Sequence, residues 1–84
     1  MATQPIRSAD QLGSIIREER IQRNLTQKEL AELTGTGQKT ISRIENGNEG
    51  ATLETVFKLL AVLQLQIHFS PRDVSIGKAV GDVF

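Results

Sequence analysis

The chain has 84 residues, enough for one domain with a thin core, since a protein this short buries only about 60–65% of its extended surface. It has no cysteine and a single histidine, which excludes disulfide staples, thiolate metal sites and multi-histidine metal sites within one chain. Ten basic and ten acidic residues cancel, so this is not a highly basic nucleic-acid coating protein, although a local basic face remains open. The 38% hydrophobic and 24% charged content fits a soluble globular chain. Its longest weakly charged run, Leu59 to Ser70, is too short to span a bilayer. With no apolar leader at the N-terminus, a cytoplasmic protein is expected.

The first predicted element is a helix opened by Ser8 and Gln11, a capping box in which the hydroxyl caps the helix start and the amide reaches back. Leu12, Ile15 and Ile16 share its inner face, and it ends near Arg23–Asn24. Thr26 with Glu29 opens a short second helix whose inner residues are Leu30, Ala31 and Leu33, broken by Gly35. A third helix starts near Gln38, with Ile41 and Ile44 inward. Asn46-Gly47-Asn48 and Gly50 form a loop, because these residues tolerate positive φ. Thr52 caps a fourth helix with an apolar stripe of Leu53, Val56, Phe57, Leu60 and Leu63.

At Leu65 the period falls to two. Leu65, Ile67 and Phe69 alternate with Gln66, His68 and Ser70, as in a half-buried strand, and Pro71 ends it. His68 reads as a strand residue, not a ligand. One strand cannot satisfy its own backbone, and the residues after Pro71 (Val74, Ile76, Val80) suggest only a weak second one. A two-fold mate supplying the same strand is the simplest partner. The expected division is a helical domain over 8–64, a dimerisation strand over 65–70 and a C-terminal tail over 71–84, the tail being either a frayed end or an adaptable segment that lies on a partner.

The second and third helices, joined by a short turn with glycine, describe a helix-turn-helix. Ala31 lets the two helices approach where they cross. With Ile41 and Ile44 inward, about 100° per residue places Lys39, Ser42, Arg43 and Asn46 outward, and Gln38 at the exposed helix start. Thr36 to Arg43 holds two basic residues and no acid, which suits entry into a major groove about 12 Å wide. Gln38, Lys39 and Ser42 are candidates for base edges, and Arg43 for a base or a phosphate. Gln27 and Lys28 stand at a helix N-terminus, where free N–H groups and the dipole favour an anion. Thr40, Asn46 and the backbone at Gly47 complete the candidate phosphate contacts. No nucleophile–base–orienter set and no phosphate loop is present, so the chain is not read as an enzyme, and no cofactor or metal is expected.

The strings Leu25-Thr26-Gln27-Lys28-Glu29-Leu30-Ala31 and Thr40-Ile41-Ser42-Arg43-Ile44-Glu45-Asn46-Gly47, with Leu53-Glu54-Thr55 ahead of a leucine-rich helix, resemble the Cro/CI-type (XRE-like) helix-turn-helix repressors over about Leu12 to Leu65. The resemblance implies an all-α, lambda-repressor-like bundle of four to five helices. It also implies a pair between Arg20 and Glu45 near the DNA backbone. Two positions depart from the pattern: Gly37 replaces the usual hydroxyl cap of the third helix, and Thr36 replaces an apolar residue.

A narrower resemblance takes in the strand Leu65-Gln66-Ile67-His68-Phe69 and the opening Ser8-Ala9-Asp10-Gln11-Leu12, and is to the HipB antitoxins. It implies a homodimer whose strands pair across the axis. It also implies a palindromic operator in the protein's own operon, and a HipA-like serine/threonine kinase toxin as partner. Two other readings stay open: a stand-alone phage or chromosomal repressor with no toxin, and an interaction adaptor that has lost DNA binding.

Overall fold

A computed structural model describes residues 5–48 and 50–71. It contains four helices: α1 (Ala9–Gln22), α2 (Gln27–Thr34), α3 (Gln38–Glu45) and α4 (Leu53–Val62). The fold is all-α, as the sequence patterning requires.

Each start is set by local chemistry. Ser8 Oγ accepts from the Gln11 N–H, but the Gln11 side chain reaches one residue past the expected position and accepts from the Arg7 N–H. Thr26 and Glu29 make a full reciprocal box, with Thr26 Oγ1 accepting from the Glu29 N–H at 3.0 Å and Glu29 Oε1 from the Thr26 N–H at 2.9 Å. Thr52 caps α4 through the Thr55 N–H. Only α3 starts without a side-chain cap, at Gly37.

The helix ends share one device. Beyond each last turn a residue takes positive φ: Asn24 (57°), Gly35 (70°), Gly47 (81°) and Gln64 (60°). The next residue then donates its N–H back across the end of the helix, as in Leu25 to Arg20 O, Thr36 to Ala31 O, Asn48 to Arg43 O and Leu65 to Leu60 O. These are Schellman closures, which satisfy carbonyls the helix leaves orphaned. Glycine adopts this conformation without strain, and asparagine tolerates it. Gln64 does so at a cost of about 1 kcal/mol, and as a residue type it does not mark a left-handed turn.

The core is Ile16, Leu30, Ala31, Ile41, Ile44, Val56, Leu59, Leu60 and Leu63, flanked by Leu12, Leu25, Ala51, Val62 and Leu65. Helix α3 packs against both α1 and α2, and α4 packs against α2. Burying each large aliphatic side chain contributes about 1.5–3 kcal/mol, so α3 is held mainly by Ile41 and Ile44. At Gly13, a Cβ would overlap the Ile44 carbonyl oxygen and stand 3.0 Å from the Glu45 carbonyl oxygen. A glycine in mid-helix therefore lets the backbone of α1 lie against the end of α3.

Three expected core positions face outward. Leu33 is exposed, and on α4 Leu53 is 74% and Phe57 54% exposed, while Leu59 is fully buried in their place. The inner face of α4 is Val56-Leu59-Leu60-Leu63, an i, i+3, i+4, i+7 set. Phe57 lies about 100° round from Val56, and Leu53 precedes that set at the first helical position. The apolar band of α4 is wider than the core needs.

Residues 65–71 carry no helix, and among the described residues they pair with no strand. Leu65 packs on the core, whereas Ile67 and Phe69 are exposed, Phe69 at 96%. Among the described residues the expected strand has no ladder partner, and without one no strand is formed there. Apart from Pro71, the tail over 71–84 lies outside the described residues, as do Val74, Ile76 and Val80. Among the described residues no helix is long and apolar enough to cross a membrane.

Candidate nucleic-acid interface

Helix α3 presents two faces. Ile41, Ile44 and Glu45 are buried, whereas Gln38, Lys39, Arg43 and Asn46 are exposed and Thr40 and Ser42 half-buried. The 3.6-residue period thus gathers amide, ammonium, hydroxyl and guanidinium groups on one solvent-facing surface. No acidic residue lies in the first turn of α3. Arg43 and Thr40 also line a shallow cleft with Asn48, Gly50 and Ala51, continuing the polar surface into the loop before α4.

The orientation of α3 is fixed from behind by a charged cluster that the sequence only half disclosed. Arg20 Nε donates to Glu45 Oε2 at 2.6 Å, and Nη2 donates to Glu45 Oε1 at 3.0 Å, a two-pronged pair. Arg20 Nη1 also donates to the Leu25 carbonyl oxygen at 2.7 Å, holding the α1–α2 turn. Gln27 Nε2 donates to Glu45 Oε1 at 3.1 Å. One carboxylate therefore ties α1, α2 and α3 together. The side chains of Arg20 and Glu45 are only 11% and 1% exposed, so this pair is shielded from solvent, unlike Arg23–Glu19 and Lys58–Glu54. Among the described residues no buried side-chain polar atom lacks a partner.

At the N-terminus of α2, Lys28 is exposed and Gln27 half-buried. The Glu29 carboxyl is held below its ordinary range, first by the Thr26 backbone N–H and then by the Thr26 hydroxyl, and so stays ionised there. At the other end of α3, the Gly47 N–H is not free, since it donates to the Ile44 carbonyl oxygen at 3.0 Å. What that turn offers outward is the Asn46 side chain. The engagement of Gln27 by Glu45 is a relationship between elements that no spacing in the sequence reports, whereas the closure at Gly47 is the local turn that glycine there announces. No group of three or more potential metal ligands occurs among the described residues.

Comparison with known proteins decides the family. The helix-turn-helix family model (HTH_3) matches residues 16–69, which contain all of α2, α3 and α4. Antitoxin HipB of Escherichia coli strain K12 is 42% identical over 67 residues, covering 80% of this chain and 76% of that protein. The chain belongs to the HipB antitoxin family. Antitoxin HipB of Escherichia coli O6:H1 is 40% identical over 67 residues, covering 80% of this chain and 71% of that protein. Among solved structures, HipB in the HipA-HipB-O2-O3 complex superposes with a TM-score of 0.76 at 39% identity, covering 82% of this chain and 97% of that one. The restriction-modification controller protein C.AhdI from Aeromonas hydrophila shares the fold more distantly, with a TM-score of 0.64 at 28% identity over 69% of this chain and 88% of that one.

Proposed function

We propose that this HipB-family chain is a DNA-binding antitoxin that represses its own operon and neutralises a HipA-like kinase. The observation that carries the reading is the exposed, acid-free face of α3, held by the Arg20–Glu45–Gln27 cluster. Gln38, Lys39, Ser42 and Arg43 read base edges, each good contact adding about 1–3 kcal/mol of discrimination. Gln27, Lys28, Thr40 and the Asn46 side chain grip phosphate on either side, without the Gly47 N–H, which is spent on the Ile44 carbonyl oxygen, and each neutralised phosphate adds about −0.9 to the logarithmic salt slope. The second amide hydrogen of Gln27 stays available to DNA while the first is held by Glu45.

The working unit is a homodimer. Leu65, Ile67 and Phe69 pair with their copies across a two-fold axis, and the exposed Leu53 and Phe57 enlarge the apolar surface that a second copy covers. Two recognition helices then stand one DNA turn apart, about 34–36 Å, and read a palindrome. Occupancy of the promoter blocks transcription. A HipB relative solved together with HipA supports the second role, kinase neutralisation. The protein works in the cytoplasm, where its DNA is.

A gel shift with the DNA upstream of the protein's own gene tests this, together with copurification of the chain encoded next to it. A specific shift and a copurifying kinase-like chain are expected. Failure to shift any palindrome in that DNA at low salt overturns the DNA-binding reading.

A further inference from the structure

We propose that Asp10 is a restraining residue at the DNA face, one whose charge weakens binding by repelling the phosphate nearest the end of the recognition helix. This rests on the reading of α3 as the DNA-binding element.

Asp10 lies in the first turn of α1, where the positive end of that helix favours a carboxylate. The same side chain is pressed against the turn that closes α3. A Cβ at Gly47 would overlap Asp10 Oδ1 and would stand 2.8 Å from its Cγ and 3.0 Å from its Cα. The start of α1 and the loop after α3 adjoin more widely, since Ala9 and Leu12 line one cleft with Ile44, Asn48 and Gly50. Asp10 is exposed, and among the described residues its carboxylate takes part in no hydrogen bond or ion pair.

Its position sets its effect. The end of α3 already carries the negative pole of that helix, and the Gly47 N–H that would offset an anion is spent on the Ile44 carbonyl oxygen. A phosphate approaching Asn46 therefore meets one neutral amide and one unpaired carboxylate. This is a sequence-independent penalty, because phosphates carry no base identity. It lowers affinity for all DNA and leaves the base-reading residues to separate operator from bulk.

The test is the affinity of the full-length protein for an operator duplex and for an unrelated duplex, across a salt series, in Asp10→Asn and Asp10→Ala. Removing a like charge that stands within the Debye length of a phosphate gives an expected gain of about three-fold per half-site at low salt, fading as the Debye length falls to about 3 Å at 1 M. Both duplexes should gain alike. Asp10→Glu, which keeps the charge, should bind as the parent does. Thermal melting of each variant reports whether the fold is kept, and Asn and Ala are small enough that one of the two serves if the other perturbs the cap. Unchanged or weaker binding by both neutral variants overturns the inference. Arg43→Ala, run alongside, separates the two levels. If it weakens binding while the Asp10 variants do nothing, only the role of Asp10 fails. If it too changes nothing, the DNA face itself is misplaced.

Discussion

Arg20 and Glu45, twenty-five residues apart, form a two-pronged ion pair whose carboxylate is 1% exposed and also accepts from Gln27. Exposed pairs of this kind stabilise by about 1 kcal/mol or less, but removal of one partner from a shielded pair strands the other charge. Glu45→Ala should therefore destabilise the fold by about 3–5 kcal/mol, measured by chemical denaturation. Glu45→Gln keeps the shape and part of the hydrogen bonding and should cost less. A loss below about 1 kcal/mol in Glu45→Ala would mean the cluster is solvated in solution.

Gly13→Ala offers a second, opposite-looking test. In an unencumbered helix this change stabilises by about 0.5–1 kcal/mol. Here the new methyl would overlap the Ile44 carbonyl oxygen, a backbone atom that cannot turn aside. Helices α1 and α3 must separate, and a loss of about 1–3 kcal/mol is expected. Gly50→Ala is the control, because nothing lies within 4 Å of a Cβ there. Equal melting temperatures for the two variants would deny the close approach.

Much of this architecture was legible in the chain. Ser8, Thr26 and Thr52 announced three helix starts because capping chemistry is local, and Ile41 with Ile44 announced the inner face of α3 because burial follows the 3.6-residue period. Leu53 and Phe57 misled, since a period marks which residues are apolar and not which of them one chain has room to bury. The Arg20–Glu45 pair was anticipated only through resemblance. Its third member, Gln27, reads in the sequence as a phosphate contact alone, because a hydrogen bond between α2 and α3 depends on how the helices cross and leaves no trace in spacing. The carboxylate of Asp10 against Gly47 is hidden for the same reason.

On the recognition face, Gln38→Ala and Lys39→Ala should weaken operator binding by about 1–3 kcal/mol and relax base preference, with little effect on non-specific duplex. Gln27→Ala should weaken both kinds of duplex, and it should also lower stability slightly through its lost bond to Glu45. Binding measured on a set of single-base operator variants distinguishes the two patterns. If Gln38→Ala and Lys39→Ala both leave operator affinity intact, α3 does not read bases through these residues.

Acid should loosen the start of α2. The Glu29 carboxyl is held below its ordinary value of 4.5, so its ionised form is favoured in the folded state. A depressed folded value gives stability that is fully present above the unfolded value and is lost as pH falls through the folded one. The stability difference between the parent and Glu29→Gln should therefore be constant above about pH 5 and shrink as the pH drops below 4.5. Denaturation curves collected across that range check the sign. A difference that grows on acidification would contradict the capping geometry.

Ile67→Asp probes assembly. Ile67 is exposed in a single copy and alternates with Leu65, which packs on the core, and Phe69, which does not. A carboxylate at 67 leaves the helical core untouched, so the melting of an isolated copy should survive. In the paired strands it would place two like charges near the axis, and like charges across a pair of strands repel. Sedimentation should show a monomer where the parent is a dimer. Operator affinity should then fall by orders of magnitude, because each half-site must be bound without its tethered neighbour. If the variant sediments as a dimer and still shifts the operator, the copies meet through another surface, and the exposed Leu53–Phe57 face of α4 becomes the first to test by Phe57→Asp.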